Sequence, residues 1–275
     1  MSFATILQRL VNIVPFRFRD NIKNIPGIKQ LQAYFIKRYL DNKEFIATIS
    51  GGPAKGLVFP VKLPQDKQMW IGTWELAFAK ALQQAIKSNW ICYDIGGYKG
   101  YYAGVMALNG AAKVYIFEPM PINIKAINNL ISLNPLLPMT LMEVAVADKN
   151  GQAVFKIMPE ETMGKLNASN FQQSDKELSQ IEVQTVSLDS LVASGIQAPD
   201  FIKIDVEGAE EFVLEGAQHI LKEYRPYLMI EIHSPEIGKS CLAILSQYYT
   251  SITVLETGLS PQEGTPDICH YIAIP

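Results

Sequence analysis

Trp90 to Gly100 reads WICYDIGGYKG, a short apolar run that closes on an acid and is followed by three glycines within five residues. A run of this length fits a buried strand, and Gly96, Gly97 and Gly100 let the backbone turn sharply and approach a ligand closely before a helix begins. Strand, tight turn and helix N-terminus together make the unit at which α/β proteins hold nucleotides and related cofactors. Glycine turns also occur for purely structural reasons, so the ligand has to be read from residues farther along the chain.

Beyond the turn, strand and helix patterns alternate. Ile91 to Ile95 is expected as a strand, Tyr101 to Asn109 as a helix, Lys113 to Phe117 as a strand, Ile122 to Leu133 as a helix and Thr140 to Val146 as a strand. Such alternation implies a parallel sheet with right-handed crossovers. Residues 152 to 158 and 181 to 187 predict an inserted antiparallel pair within 151–187, flanking the polar loop Pro159 to Gln180, which is long enough to have a function of its own. The alternation resumes with a helix at Ser190 to Ser194, a strand at Phe201 to Val206 and a helix at Glu210 to Leu221. A strand at Tyr227 to His233, a helix at Glu236 to Tyr248 and the apolar runs Ile252 to Leu255 and Cys269 to Ile274 complete it.

Upstream of the turn, Trp70 to Ile86 predicts a helix with Thr73 as its N-cap. Phe45 to Val61 alternates around Ser50-Gly51-Gly52-Pro53 and predicts a hairpin. Residues 1 to 45 carry eight basic side chains against three acids, a local +5 that leaves −8 on the rest of a chain whose net charge is −3. Ile6, Leu7, Leu10, Ile13 and Val14, and then Leu31, Tyr34, Phe35 and Tyr39, recur at helical spacing. Two short amphipathic helices are expected, packed on the main domain or a partner subunit, or lying on an anionic membrane surface. The division is thus an N-terminal extension, 1–69, and a main domain, 70–275.

Hydrophobic residues at 48% and charged residues at 19% describe an ordinary globular chain. Cys92, Cys241 and Cys269 are odd in number and sit inside apolar segments, unlike a disulfide framework or a metal-ligand spacing, which points to buried thiols in a reducing compartment. No apolar run reaches the roughly 18 residues of a membrane span and no secretory signal is visible, so the cytoplasm is the expected location, with peripheral membrane contact through residues 1–45 as a variant. The acidic main domain, with neither a basic aromatic stripe nor an Asn-Pro-Pro-aromatic motif, argues against nucleic acid as a partner.

Two further stretches carry chemistry. Val114 to Phe117 run into Glu118-Pro119, placing an acid at a strand's C-terminal end, where a carboxylate can accept both hydroxyls of a ribose. In DFIKIDVEGAEE, Asp200 to Glu211, the alternation puts Phe201, Lys203 and Asp205 on one face and Ile202, Ile204 and Val206 on the other. A lysine in a buried strand needs a partner, and in YLMIEIH the residues Tyr227, Met229, Glu231 and His233 share a face, so Lys203 is expected to pair with Glu231. Asp205, Glu207 and His233 would then gather at the carboxyl edge of the sheet. Glu210 and Glu211 read as acids complementing a helix N-terminus.

DIGGYKG, FEPMP followed by NNLISLN, the AVADKNG strand end, IKIDVEGAEEFVLEGA and MIEIH, in this order, resemble the FkbM family of S-adenosylmethionine-dependent methyltransferases from about Gly72 to His233. The resemblance implies an α/β class I methyltransferase fold: a Rossmann-like sheet of seven strands, mainly parallel with the last antiparallel, and helices on both faces. It implies S-adenosylmethionine as cofactor, with Asp94, Gly96, Gly97, Tyr98 and Gly100 in the cofactor loop and Glu118 on the ribose. Pro119, Met120 and the Ala145 neighbourhood would lie at the adenine, Glu75 near the methionine end, and Asp205 among the cofactor contacts. The family usually carries alanine and asparagine where this chain has Gly97 and Tyr98.

The function expected is methylation of a hydroxyl on a small or carbohydrate-like acceptor. A methyl on a sulfonium is already activated, so the protein must align the acceptor and remove one proton. His233, whose ordinary pKa lies near neutrality, Asp205 and Glu207 are the candidate bases. Lys165, Asn167, Ser169 and Asn170 in the loop, with Glu231, are candidate substrate contacts. Asp205, Glu207, Glu231 and His233 also hold the donors of a metal-assisted variant, but no His/Cys spacing supports zinc and no metal is expected. Two rivals remain: a non-catalytic module that keeps the fold, and a nicotinamide-dependent dehydrogenase, which GGYKG disfavours because it lacks the GxGxxG spacing.

Overall fold

The computed structural model describes residues 44–157, 164–166, 179–262 and 265–275, with Ile13, Ile25, Gly27, Gln30 and Tyr34 described singly. The two amphipathic helices expected within residues 1–45, and most of loop 159–180 with Asn167, Ser169 and Asn170, lie outside the described residues.

Strands β1 (Glu44–Thr48) and β2 (Val58–Lys62) form the expected hairpin, pairing Glu44 with Lys62 and Thr48 with Val58. Helices α1 (Lys67–Ile71) and α2 (Leu76–Ala85) come next. The alternating region comprises β3 (Ile91–Ile95), α3 (Tyr101–Leu108), β4 (Lys113–Phe117), α4 (Pro121–Leu133) and β5 (Met139–Met142). A second sheet contains β6 (Ala145–Val146), β7 (Gly151–Ile157), β8 (Gly164–Leu166) and β9 (Ser179–Val186). The chain ends with α5 (Leu188–Ala193), β10 (Phe201–Ile204), α6 (Glu210–Glu215), α7 (Gln218–Glu223), β11 (Tyr227–Ile232), α8 (Pro235–Leu245), β12 (Ser251–Val254) and β13 (Cys269–Ile274).

The main sheet has seven strands in the order β12-β13-β11-β10-β3-β4-β5. Strand β13 runs antiparallel to both neighbours, and the other pairings are parallel. This is the sheet expected of a class I methyltransferase fold. Both faces are covered, which is why its strands read as nearly continuous apolar runs. Cys92, Val114, Ile116, Phe201 and Met229 enter the core beneath α2, α3, α4 and the hairpin, while Tyr93, Ile95, Phe117, Ile202, Ile204 and Ile230 enter the core beneath α5 to α8.

The hairpin shares the first of those cores. Leu57 packs on α3 at Gly104, where a Cβ would stand 2.5 Å from a leucine methyl, and Asn134 bonds both the N–H and the carbonyl of Val58. The described part of segment 1–69 is thereby built into the same body as the main sheet.

Three elements differ from expectation. Trp70 to Ile86 is two helices because Gly72, at φ +77, lies against the Gly51 carbonyl, which a Cβ would approach to 2.1 Å. Thr73 makes no cap and is buried; Glu75 occupies the N-cap of α2 in the left-handed region. The run 140–146 splits at Val144, so that β5 stays in the main sheet and β6 joins the second, pairing in parallel with β9. Glu210 to Leu221 breaks where Gly216 packs against the Ala147 carbonyl. In each case the apolar pattern continues through the break, and a tertiary contact imposes it.

Candidate active site

The glycine turn is shaped first by the strands beside it. A Cβ on Gly96, at φ +76, would stand 1.7 Å from the Asp205 carbonyl oxygen, and one on Gly97 would stand 2.3 Å from the Ile116 side chain. Both N–H groups donate to the Phe117 carbonyl. These glycines draw the exits of β3, β4 and β10 together, and the floor of a cavity results.

That cavity, of roughly 360 Å³, opens along the carboxyl edge of β11, β10, β3 and β4. Such a volume falls within the range of about 300–1,000 Å³ usual for small-molecule sites. Glu75, Gly96, Gly97, Tyr98, Glu118, Pro119, Met120, Ala145, Asp205, Glu207 and Glu231 all line it. Asp94, Gly100 and His233 do not. Gly100 starts α3 in the left-handed conformation against Leu130, and Asp94 lies beneath the floor. Lys165 is described only as part of β8, without its side chain.

Glu118 stands at the β4 end. Its carboxylate accepts the N–H of Tyr98 at 2.9 Å and that of Met120 at 2.9 Å. Burial pushes its carboxyl up to about 7 against the pull of those two donors and of Asn123. Tyr98 has φ +50, in the left-handed region that asparagine tolerates better than tyrosine. The family's usual asparagine would hold this bend with less strain. Gly97 in place of alanine matches Ile116, whose methyl occupies the space of a Cβ.

Lys203 does not pair with Glu231, contrary to expectation. Its ammonium lies 3.2 Å from Asp94 and 3.2 Å from Asp205 and donates to the Gly96 carbonyl at 2.8 Å. The parallel register sets Lys203 beside Asp94 on one side and Met229 on the other, two residues short of Glu231.

At the β11 end, His233 is surrounded by acids. Its Nδ1 lies 2.8 Å from Glu210, and its Nε2 3.5 Å from Glu207, 3.8 Å from Asp205 and 3.8 Å from Glu231. Burial pulls the imidazole pKa down, but the hydrogen bond and charge of Glu210, with Asp205 and Glu207, outweigh it and hold the group at about 9. The acids around it thus favour the imidazolium form, which makes His233 a weaker candidate base than the carboxylates beside it. Glu231 is pushed up to about 8 by burial and by the charge of Asp205, and Glu207 is raised by burial. Asp205, Glu231 and His233 can also offer a cation one donor atom each, all within 4.8 Å of one another.

Glu210 was legible only as an acid at a helix start. In fact it is fully buried, accepts the Gly208 N–H at 3.0 Å and orients His233. Its spacing of three from Glu207 at the opening of α6 was the available signal. Trp74, Tyr101, Tyr102 and Phe155 also line the cavity. The tyrosine pair directly after Gly100 marked two of them.

The raised groups set a pH dependence. With folded pKa values above the ordinary 4.5 and 6.5, Glu231 and His233 make the folded chain bind more protons than the unfolded one across this range. Stability is therefore highest on the acid side and falls as pH rises through about 8 and 9. The unliganded protein is expected to lose several kcal/mol between pH 6 and 9. Urea midpoints at pH 6, 7.5 and 9 measure this, and a flat or rising series contradicts it.

A family model described as the methyltransferase FkbM domain matches residues 94–253, more than half of the chain. The chain belongs to the FkbM methyltransferase family. In this FkbM chain the match takes in the glycine turn, Glu118 and the acids around His233. The chain is 25% identical to the hexuronic acid methyltransferase AglP of Haloferax volcanii over 171 residues, covering 61% of this chain and 66% of that protein. A crystal structure of a methyltransferase FkbM from Methylobacillus flagellatus is similar over 70% of this chain and 50% of its own, with 17% identity and a TM-score of 0.45. One of a putative methyltransferase from Streptococcus mutans in complex with SAH is similar over 71% of this chain and 94% of its own, with 12% identity and a TM-score of 0.43. The FkbM chain thus spans 66% of the curated relative's length and 50% of the Methylobacillus protein's.

Proposed function

We propose that this chain is an S-adenosylmethionine-dependent O-methyltransferase acting on a hydroxyl of a small, carbohydrate-like acceptor. The observation that carries the reading is one cavity with a buried carboxylate, Glu118, at one end and the acids around His233 at the other. Family membership and the hexuronic acid methyltransferase among its relatives support it.

The residues present fit the cofactor. Glu118 accepts two backbone N–H groups and keeps lone pairs for hydroxyl donors, and its raised pKa reflects negative charge that its present donors only partly stabilise. Met120, Ala145 and Phe155 form an apolar cluster that would hold the adenine. When bound, S-adenosylmethionine would supply a methyl on sulfonium, activated for transfer to an acceptor oxygen that gives up its proton, with the electron pair of the C–S bond left on sulfur.

Taking that proton falls to this chain's carboxylates. Glu231, held near 8, is better matched to the task than Asp205, one oxygen of which faces Lys203. The His233 imidazolium orients Asp205, Glu207 and Glu231 and spreads their charge. Three buried free thiols support a reducing, cytoplasmic location. Among the described residues no helix is long and apolar enough to cross a membrane.

Calorimetric titration with S-adenosylmethionine is the test. Saturable binding with a Kd between about 1 μM and 1 mM is expected. Folded protein that takes up no cofactor refutes the enzyme reading, and binding of NAD instead would turn it toward the dehydrogenase.

A further inference from the structure

The two ends of the cavity differ in chemistry. Met120, Ala145 and Phe155 make the β4 end largely apolar around Glu118. The β11 end is lined by Trp74, Glu75, Tyr101, Tyr102, Asp205 and Glu231. Tyr102 donates its hydroxyl to Glu75, and the charge of Glu75 is felt at both Tyr101 and Glu231, so these side chains form one neighbourhood.

Carboxyl oxygens accept hydrogen bonds, so Glu75, Asp205 and Glu231 suit an occupant that donates them. Among the described lining residues Lys203 is the one cationic side chain, and its ammonium is already directed at Asp94, Asp205 and the Gly96 carbonyl. A second, independent feature is Tyr101. It is 2% exposed, and its hydroxyl has no hydrogen-bond partner. A buried hydroxyl in that state calls for an explanation, and a ligand oxygen supplies one. Trp74 adds a half-buried aromatic ring to this end, which suits the C–H face of a sugar ring.

Resting on the methyltransferase reading, we infer that the acceptor is a neutral, hydroxyl-rich ring rather than a sugar acid, held against Trp74 with a hydroxyl donating to Glu231 and one oxygen accepting from Tyr101, beside Glu75 and Asp205, the acids expected at the cofactor. A free carboxylate on the acceptor would meet the acids Glu75, Asp205, Glu207 and Glu231, while the two basic side chains nearby are already held, Lys203 by Asp94 and Asp205 and His233 by Glu210. This separates the chain from its Haloferax relative, whose name specifies a hexuronic acid. In the transfer itself the acceptor hydroxyl oxygen bonds the methyl carbon, the methyl–sulfur pair stays on sulfur, and the hydroxyl proton goes to Glu231.

The full chain is first titrated with S-adenosylmethionine, so that failure of the cofactor reading is seen separately. Formation of S-adenosylhomocysteine is then measured with matched methyl glycosides of glucose and glucuronic acid, galactose and galacturonic acid, and mannose and mannuronic acid. At least one neutral member is expected to be methylated, with kcat/KM about tenfold or more above that of its acid partner. An acid used as well as or better than its neutral partner, or no neutral member used by protein that binds cofactor, overturns the inference. Tyr101→Phe removes only an unpartnered hydroxyl, so Tm and cofactor Kd should hold while acceptor KM rises about tenfold. An unchanged KM overturns the Tyr101 contact.

Discussion

Glu118→Ala is expected to weaken S-adenosylmethionine binding by about 100-fold or more while leaving the protein folded. The carboxylate is 4% exposed, yet it faces the cavity and is held in place by the Tyr98 and Met120 N–H groups. If its remaining lone pairs accept the two ribose hydroxyls, each charge-assisted bond is worth roughly 1.5–3 kcal/mol, and losing both spans at least two decades of affinity. The two freed N–H groups border the cavity, where water can reach them, which limits the damage to the fold.

The wild-type protein provides a second measure of the same group. A ligand that donates to Glu118 favours its ionised form, so affinity should be level above about 7 and fall by up to tenfold per pH unit below it. Calorimetry on the variant, and on the wild type between pH 5.5 and 8.5, checks both. An unaltered Kd in the variant removes Glu118 from the cofactor site.

The second large effect falls on stability. Lys203→Met is expected to cost about 3–5 kcal/mol, because it leaves the Asp94 carboxylate buried without its countercharge. Asp94 has no measurable exposure and lies directly beside Lys203 in the parallel register of β3 and β10. Burial already raises its pKa, with the lysine as the main opposing influence. Set against the roughly 5–15 kcal/mol that holds a typical domain together, the loss is severe. In the variant a raised Asp94 costs stability above its folded pKa and is relieved as pH falls, so the deficit should shrink toward pH 4. Lys203→Met combined with Asp94→Asn should recover a substantial part at neutral pH. Urea denaturation measures all three, and a deficit under about 1 kcal/mol in the single variant would show that Lys203 is not what holds Asp94.

Much of the architecture could be read from neighbouring residues. The apolar runs at Ile91 to Ile95, Lys113 to Phe117 and Phe201 to Ile204 became strands of one parallel sheet, and the Ser50-Gly51-Gly52-Pro53 cluster became the loop of a hairpin. Where a distant segment intrudes, local reading stopped short. Gly72 and Gly216 end helices because carbonyls of Gly51 and Ala147 occupy the space beside them, and nothing in the adjoining residues announces those carbonyls.

By itself, the sequence determined the class of fold, the glycine turn, and the placing of Glu118, Asp205, Glu207 and His233 on one edge of one sheet. These depend on strand alternation and helix periodicity, which involve residues a few positions apart. Only the tertiary structure decided that Lys203 faces Asp94 rather than Glu231, that Glu210 reaches His233, and that the imidazole pKa is raised rather than lowered by its surroundings. Partner choice depends on strand register, and a pKa depends on burial and on charges several ångströms away. Both are set when segments more than 20 residues apart in the chain, such as Glu210 and His233, are brought together.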